Sequence, residues 1–154
     1  MKPQRILKII KFIIVLGMLA ILSSLAQAAE TYKLDPMHTS IVFRVKHLGV
    51  AYVYGRFNGP SGTFVFDETS PSKSVIEMQA ETKNVDTAVE KRDTHLKSPD
   101  FFNTGEYPTV SFKSKSVKKQ GKEYLLEGTF TMHGVAKEIA IPFKLHGPVK
   151  SPWG

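Results

Sequence analysis

A two-residue alternation of side chains constrains the fold more than any other feature of this sequence. A strand over residues 41–48 would place four residues together on one face, Ile41, Phe43, Val45 and His47. Such a period is typical of a half-buried β-strand. It recurs in later segments, separated by turn signals at intervals of roughly 8–12 residues. The pattern predicts an all-β, antiparallel sandwich or barrel of about seven strands.

The other segments of strand character are residues 52–57, 63–67, 75–82, 109–117, 124–132 and 135–145. Gly55 lies inside the first of these, which predicts a bulge or a close backbone approach. Residues 58–62 contain several breakers in a row, so they form a wide turn or a strongly bent strand. Lys118–Lys122 is predicted to be a basic hairpin tip, and His133-Gly134 a turn.

One stretch departs from the strand pattern and predicts a single short helix. Thr87 as N-cap, with Glu90 three residues later, fits a capping box, and Pro99 would end the helix. Asp100-Phe101-Phe102 follows, and two adjacent aromatic residues are not both expected on the surface. We therefore expect a helix with an aromatic tail that covers part of a sheet or barrel.

Residues 1–28 have the composition of a cleaved secretory signal peptide. Four basic residues precede an apolar run of eleven residues, Phe12 to Leu22, and Ala26-Gln27-Ala28 fits a cleavage signal. A membrane anchor is the alternative, but a spanning helix needs about 20 apolar residues. We expect cleavage after Ala28 and export of a domain comprising residues 29–154.

Charge and cysteine content exclude several classes of function. Without the signal, 17 basic and 14 acidic residues remain, and no arginine-rich run with interleaved aromatics indicates nucleic-acid binding. The sequence has no cysteine. Thiol nucleophiles, thiolate metal sites, redox pairs and disulfides are therefore excluded, and the apolar core must hold the domain together.

Polar residues that could take part in catalysis or metal binding are few and scattered. The five histidines lack H-x-H or H-x-x-x-H spacing, and a zinc site needs three or four converging ligands, so we expect no metal. Arg92, Asp93 and His95 are close in sequence, but no G-x-S-x-G nucleophile elbow is present. We expect Arg92 and Asp93 to anchor the helix to the sheet. A small enzyme or isomerase using these three residues is the alternative.

The apolar faces carry one or two phenylalanines per strand. A closed set of about eight strands has an interior that side chains can fill or that holds one small ligand. Periodicity alone leaves both possibilities open.

Several short motifs follow one another from about Thr31 to the end of the chain. They are Asp35-Pro36-x-His38-Thr39-Ser40, Phe43-x-Val45-x-His47-Leu48-Gly49, Gly55-x-Phe57 with Gly62, Val85-Asp86-Thr87, Arg92-Asp93-x-His95-Leu96, Asp100-Phe101-Phe102, Tyr107-Pro108, Phe112-x-Ser114 and Gly128-x-Phe130-Thr131-Met132-His133-Gly134-Val135. Each is weak alone, but together, in this order and spacing, they are specific. The chain resembles the YceI-like family of exported bacterial proteins.

The resemblance implies a lipocalin-like antiparallel β-barrel with a long apolar pocket. It implies binding of a polyisoprenoid, quinone-like or fatty chain in the periplasm, without enzymatic activity and without a cofactor. Combined with strand alternation, it predicts a pocket lined by Phe43, Val45, Phe57, Phe64, Phe66, Ile76, Met78, Phe112, Leu126 and Phe130, with Phe101 and Phe102 as its cap. A β-bulge would reverse the faces downstream of it.

Members of this family usually continue with another pair of strands beyond a motif like Gly147-Pro148 and Trp153-Gly154. We therefore expect a C-terminally truncated chain or a barrel lacking its last strands. The exposed sheet edge of such a barrel would favour pairing with another chain, such as a homodimer. The basic tip at Lys118–Lys122 either touches an anionic membrane surface or is solvated. A ligand-free structural or stress protein with a solid core is a third alternative.

Overall fold

The computed structural model describes residues 30–149, so the predicted signal peptide lies outside the described residues. The described part is all-β with one short helix, as predicted. Its strands are β1 (Glu30–Lys33), β2 (Ile41–His47), β3 (Ala51–Phe57), β4 (Ser61–Phe66), β5 (Val75–Glu81), β6 (Val85–Asp86), β7 (Thr109–Gln120), β8 (Glu123–Met132) and β9 (Val135–Phe143). The helix α1 is Glu90–Lys97, and single 3₁₀ turns occupy Pro71–Lys73 and Thr82–Asn84.

All strand pairs are antiparallel and form two sheets. The larger sheet has six strands in the order β1-β4-β5-β7-β8-β9, and the smaller has the order β2-β3-β6. Within residues 30–149 the two sheets do not join into a closed barrel. The antiparallel architecture confirms the predicted class, and β1 and β6 are strands that the alternation did not reveal.

Strand β7 contains an irregularity that reverses its inward face. Val110 and Phe112 are buried before it and Val117 after it, because the pairing with β8 shifts between Ser114 and Ser116. At the shift, the Ser114 hydroxyl accepts a hydrogen bond from the Ile76 N–H at 2.9 Å. A single extra residue therefore keeps apolar side chains inward along both halves of this strand.

Two glycine-containing positions behave as the sequence predicts. A Cβ on Gly55 would lie 2.8 Å from the Thr87 methyl carbon and closer still to the ring of Phe43, so the predicted close approach is confirmed. His133 and Gly134 have φ angles of +52° and +72°. Positive φ at both positions is characteristic of the type I′ turn that suits a two-residue hairpin.

The start of the helix differs from the prediction. Helix α1 begins at Glu90 with Val89 at the N-cap and no side-chain cap hydrogen bond, so the capping box at Thr87 is wrong. Ala88 has a φ of +61°, which separates Thr87 from the helix. The predicted end is confirmed, since the helix stops at Lys97, two residues before Pro99.

The core consists of two apolar clusters. The first cluster comprises Ile76, Phe112, Val117, Tyr124 and Leu126 on the six-stranded sheet. The second cluster comprises Phe57, Ala80, Val85 and Val110, and joins the two sheets. Phe130 packs against both clusters. Each fully buried large apolar side chain contributes roughly 1.5–3 kcal/mol.

Candidate functional site

An apolar cavity of about 570 Å³ lies at the β1–β4 side of the large sheet. Its apolar lining is Tyr32, Phe64, Phe66 and Leu145, while Glu30, Asp67, Glu68, Thr69 and His146 contribute polar groups. Strand β4 presents Phe64 and Phe66 to one face because they are two residues apart. The volume lies within the 300–1,000 Å³ range of small-molecule sites.

Aromatic contacts connect this cavity to the first cluster. The rings of Phe64 and Phe66 stack with centroids 5.5 Å apart and an interplanar angle of 9°. Phe66 meets Tyr124 edge-to-face at 5.1 Å, and Tyr124 stacks on Phe143 at 5.3 Å. The cavity wall is therefore continuous with the packed interior, and the half-buried rings of β4 form its accessible part.

The polar groups at the cavity are mainly acidic. The Thr69 hydroxyl donates to Asp67 Oδ1 at 2.6 Å, and this bond, followed by that from the Ser70 N–H, lowers the pKa of Asp67. A hydrogen bond to Glu30 raises the pKa of the Tyr32 hydroxyl. Three carboxylates around an aromatic surface favour a neutral or cationic head group over an anionic one.

Thr87 connects helix α1 to the small sheet. Its N–H donates to Asp93 Oδ1 at 2.9 Å, and its hydroxyl donates to the same oxygen. Arg92 Nε donates to the Thr87 hydroxyl oxygen at 2.7 Å, and Arg92 Nη2 to the Thr87 carbonyl at 2.8 Å. The predicted anchoring of the helix by Arg92 and Asp93 is confirmed.

His95 takes no part in that network. Its Nε2 lies 3.1 Å from Asp100 Oδ2 on the surface, and its ring meets Phe101 edge-on at 4.8 Å. The structure therefore brings Arg92 and Asp93 together at Thr87 and directs His95 to a different partner.

Asp86 carries the most strongly shifted carboxyl among the described residues. The Ala88 N–H donates to its Oδ1 at 2.9 Å, and Arg56 Nε and Nη2 donate to its Oδ2 at 3.0 and 2.8 Å. These bonds, together with one from Asn58, lower the pKa of Asp86 to about 2. The carboxylate fixes the turn after β6 and holds the side chain of Arg56 on β3.

Residues 32–151 match the protein family described as the YceI-like domain. The chain belongs to the YceI-like family. A UPF0312 protein of Pseudomonas paraeruginosa is 44% identical over 131 residues, which are 84% of this chain and 68% of that protein. The fold and family predicted from the sequence motifs are thereby confirmed.

Two solved structures share the YceI-like fold. The Campylobacter jejuni YCEI protein has a TM-score of 0.62 at 32% identity, over 80% of this chain and 72% of that chain. BcnA of Burkholderia cenocepacia has a TM-score of 0.70 at 20% identity, over 75% of this chain and 73% of that chain. The second likeness is one of fold alone.

The predicted lining residues of this YceI-like domain fall into three groups. Phe64 and Phe66 line the cavity. The packed clusters hold Phe43, Phe57, Ile76, Met78, Phe102, Phe112, Leu126 and Phe130. Val45 is 55% exposed and Phe101 49% exposed. As ligand contacts, all twelve positions stay predictions.

The cavity also uses residues that the sequence prediction missed. Tyr32 lies in the four-residue strand β1, which is too short to show a period. Leu145 lies two residues beyond β9, whereas the sequence predicts a strand that runs through residue 145. Only the pairing of β1 with β4 and the course of the chain after β9 bring these residues together.

The predicted basic tip is a tight hairpin whose charges are partly paired. Lys118 Nζ lies 2.7 Å from Glu127 Oε2, and Lys119 Nζ lies 5.9 Å from the Tyr124 ring centroid. These contacts favour the solvated alternative over a membrane contact at Lys118–Lys122.

Residues 30–149 contain no group of three or more histidine, aspartate or glutamate side chains placed to hold a metal ion. In the same range, no helix is long and apolar enough to cross a membrane.

Proposed function

We propose that this YceI-like domain binds a long apolar chain of the polyisoprenoid, quinone-like or acyl type, and sequesters or carries it without catalysing a reaction. The observation that supports this most directly is the aromatic cavity formed by Phe64, Phe66 and Tyr32. The family resemblance supports the same ligand class.

Apolar burial would drive binding, at about 25 cal/mol per Å² of surface removed from water. A hydrophobic slot discriminates one methylene by only about 1–3 kcal/mol, so we expect loose selectivity for chain length. The three carboxylates at the cavity, from Glu30, Asp67 and Glu68, would select against a carboxylate or phosphate head. We therefore expect neutral-headed chains.

The proposal includes export to the periplasm, supported by the signal-like composition of residues 1–28. It also includes a homodimer as one state of the protein. Among the described residues, β2 pairs only with β3 and β9 only with β8. Unpaired strand edges of this kind support association with a second chain.

Mass spectrometry of organic extracts tests the proposal. The protein is recovered from a bacterial periplasm without detergent, and we expect a stoichiometric isoprenoid, quinone or acyl species in the extract. Phe66→Ser should reduce the bound amount because it places a hydroxyl in the cavity wall. Val135→Ser is the matched control, since Val135 is an exposed residue of β9.

A lipid-free extract from the folded wild-type protein would contradict the carrier proposal. It would favour the ligand-free structural protein instead. Equal lipid content in the wild type and in Phe66→Ser would show that the bound species does not occupy this cavity.

A further inference from the structure

The loop between β2 and β3 exposes two apolar side chains at the end of a hairpin. This loop, Leu48–Val50, is called the hairpin tip. Leu48 is 83% exposed and Val50 87% exposed, and the tip is closed by a hydrogen bond from the Val50 N–H to the His47 carbonyl at 3.1 Å. Both side chains therefore point away from the rest of the fold.

Folding does not account for these residue types. Leu48 has a φ of +49° and Gly49 a φ of +76°. Glycine and asparagine adopt the left-handed region readily, whereas other residues rarely do. A leucine in this conformation, with its side chain in water, gains no burial. The apolar tip therefore indicates a contact outside the described fold.

The strands behind the tip are basic and aromatic on one face. Their register places Lys46 opposite Tyr52 and Arg44 opposite Tyr54. The Arg44 guanidinium carbon lies 4.3 Å from the Tyr52 ring centroid, and both tyrosines are exposed.

Among residues 30–149, the only acidic side chain that forms an ion pair with this hairpin is Asp86, which binds Arg56 at the end of β3 away from the hairpin tip. The sequence from residue 36 to residue 66 contains no aspartate or glutamate. Ion pairs within residues 30–149 include Arg56, which binds Asp86, but neither Arg44 nor Lys46. The hairpin is therefore a cationic surface with an apolar end.

We propose that the β2–β3 hairpin docks the protein on a bilayer that carries anionic head groups. The hairpin tip enters the interface, and the first row of Lys46 and Tyr52 follows about 7 Å behind it, at about 3.3 Å per residue. Tyrosine suits the membrane–water interface, and lysine and arginine are attracted to anionic lipid.

The dimensions favour a lipid surface over a protein partner. A stable protein interface covers about 800 Å² on each side and is centred on a packed apolar core. The hairpin tip offers two apolar side chains at the end of a narrow two-stranded ribbon. Shallow insertion needs no complementary surface, because lipid adapts to the shape of the inserted group.

Vesicle co-sedimentation tests the proposal with the periplasmic protein. Vesicles of phosphatidylcholine with 30 mol% phosphatidylglycerol (roughly physiological anionic surface charge) are compared with pure phosphatidylcholine. The double variant Leu48→Asn/Val50→Thr should lower the partition coefficient by about a hundredfold, or about tenfold for each lost apolar side chain. Lys46→Gln should lower it by about fivefold on anionic vesicles.

Matched controls separate docking from general effects. Val135→Thr removes another exposed apolar side chain, from β9, where Val135 is 66% exposed. Lys122→Gln removes a charge from the turn between β7 and β8. Neither change should alter partitioning. Leu48→Asn should not lower the denaturation midpoint, because asparagine suits the left-handed conformation. All forms share the same N-terminus, so its contribution cancels.

Three results would overturn the proposal. The first is no binding of the wild type to anionic vesicles, and the second is equal binding of the tip variant. The third is absence of vesicle binding together with a dimer, seen by sedimentation velocity, that dissociates in the tip variant. That result would assign the hairpin tip to an interface with a second copy of the chain. Membrane docking and ligand binding in the cavity are tested independently. Vesicle partitioning reports docking, and the lipid content of the extract, measured separately in each variant, reports the cavity.

Discussion

Asp93→Ala should destabilise the domain because it removes the acceptor of two hydrogen bonds from the buried Thr87. Thr87 is 6% exposed, and its N–H and hydroxyl both donate to Asp93 Oδ1. Removing the carboxylate leaves these two donors without their acceptor. A buried donor without a partner costs about 1–3 kcal/mol. The hydrogen bonds from Arg92 to Thr87 remain in the variant and limit the total loss of stability.

We therefore expect a loss of about 2–4 kcal/mol in the free energy of unfolding for Asp93→Ala. With a urea m-value of about 2 kcal/mol per M, the denaturation midpoint should fall by about 1–2 M. Asp93→Asn keeps an oxygen acceptor in place and should lose less. Equilibrium urea unfolding followed by circular dichroism measures all of these values.

Asp100→Ala is the matched control, because the Asp100–His95 contact is exposed on both sides and surface pairs contribute little. A fall of less than about 0.5 kcal/mol for Asp93→Ala would refute the reasoning, since the value lies within the range of ordinary surface substitutions. Loss of a catalytic turnover without loss of stability would instead support the enzyme alternative.

Three further predictions concern acid stability, packing and ligand choice. The pKa of Asp86 is lowered to about 2, so its contribution to stability is present above about pH 4 and is lost as the pH falls towards 2. The urea denaturation midpoint should therefore depend less on pH across this range in Asp86→Asn than in the wild type. Identical pH profiles of the two proteins would contradict this. Gly55→Ala should cost about 1–3 kcal/mol by overpacking against Phe43, whereas Gly105→Ala, where a Cβ would meet nothing within 4 Å, should not; equal unfolding midpoints would disprove the close contact. In competition with a fluorescent lipid probe, a long-chain alcohol should bind more tightly than the corresponding carboxylate at low salt, with a smaller difference at high salt; equal affinities would show that the acidic groups do not face the ligand.

Side-chain alternation predicted most strands because it reports burial directly. Strand β5, predicted at residues 75–82, spans Val75–Glu81, and β8, predicted at residues 124–132, spans Glu123–Met132. Strand β6 has only two residues and exists through its pairing with Arg56 and Phe57. No local period can reveal a strand of that length.

The capping box failed for a tertiary reason. The Thr-x-x-Glu signal at Thr87 and Glu90 is a sound local pattern. In the fold, however, Thr87 donates to the Asp93 carboxylate and accepts a hydrogen bond from Arg92. Because these side chains engage Thr87, which follows β6, Thr87 does not cap the helix, and the helix begins at Glu90. The tail of the helix shows the same dependence on context, since the Phe102 N–H bonds back to the Leu96 carbonyl at 2.9 Å and turns only the second aromatic ring inward.

The cavity could be predicted in part. Alternation placed Phe64 and Phe66 on one face of β4, and both line the cavity. Tyr32 and Leu145 reach it from opposite ends of the described chain, through contacts that depend on the complete fold. Their apolar character was visible in the sequence, but their meeting point was not.

The position of Phe130 between the two clusters has a consequence for cooperativity. Its ring packs against the cluster beside the cavity and against the cluster beneath helix α1. Unfolding around either cluster exposes part of the Phe130 side chain, which also packs against the other cluster. The two regions should therefore unfold together. Hydrogen exchange would then give similar opening free energies for amides in β4 and β6, and Phe130→Ala would separate them into two independently opening halves.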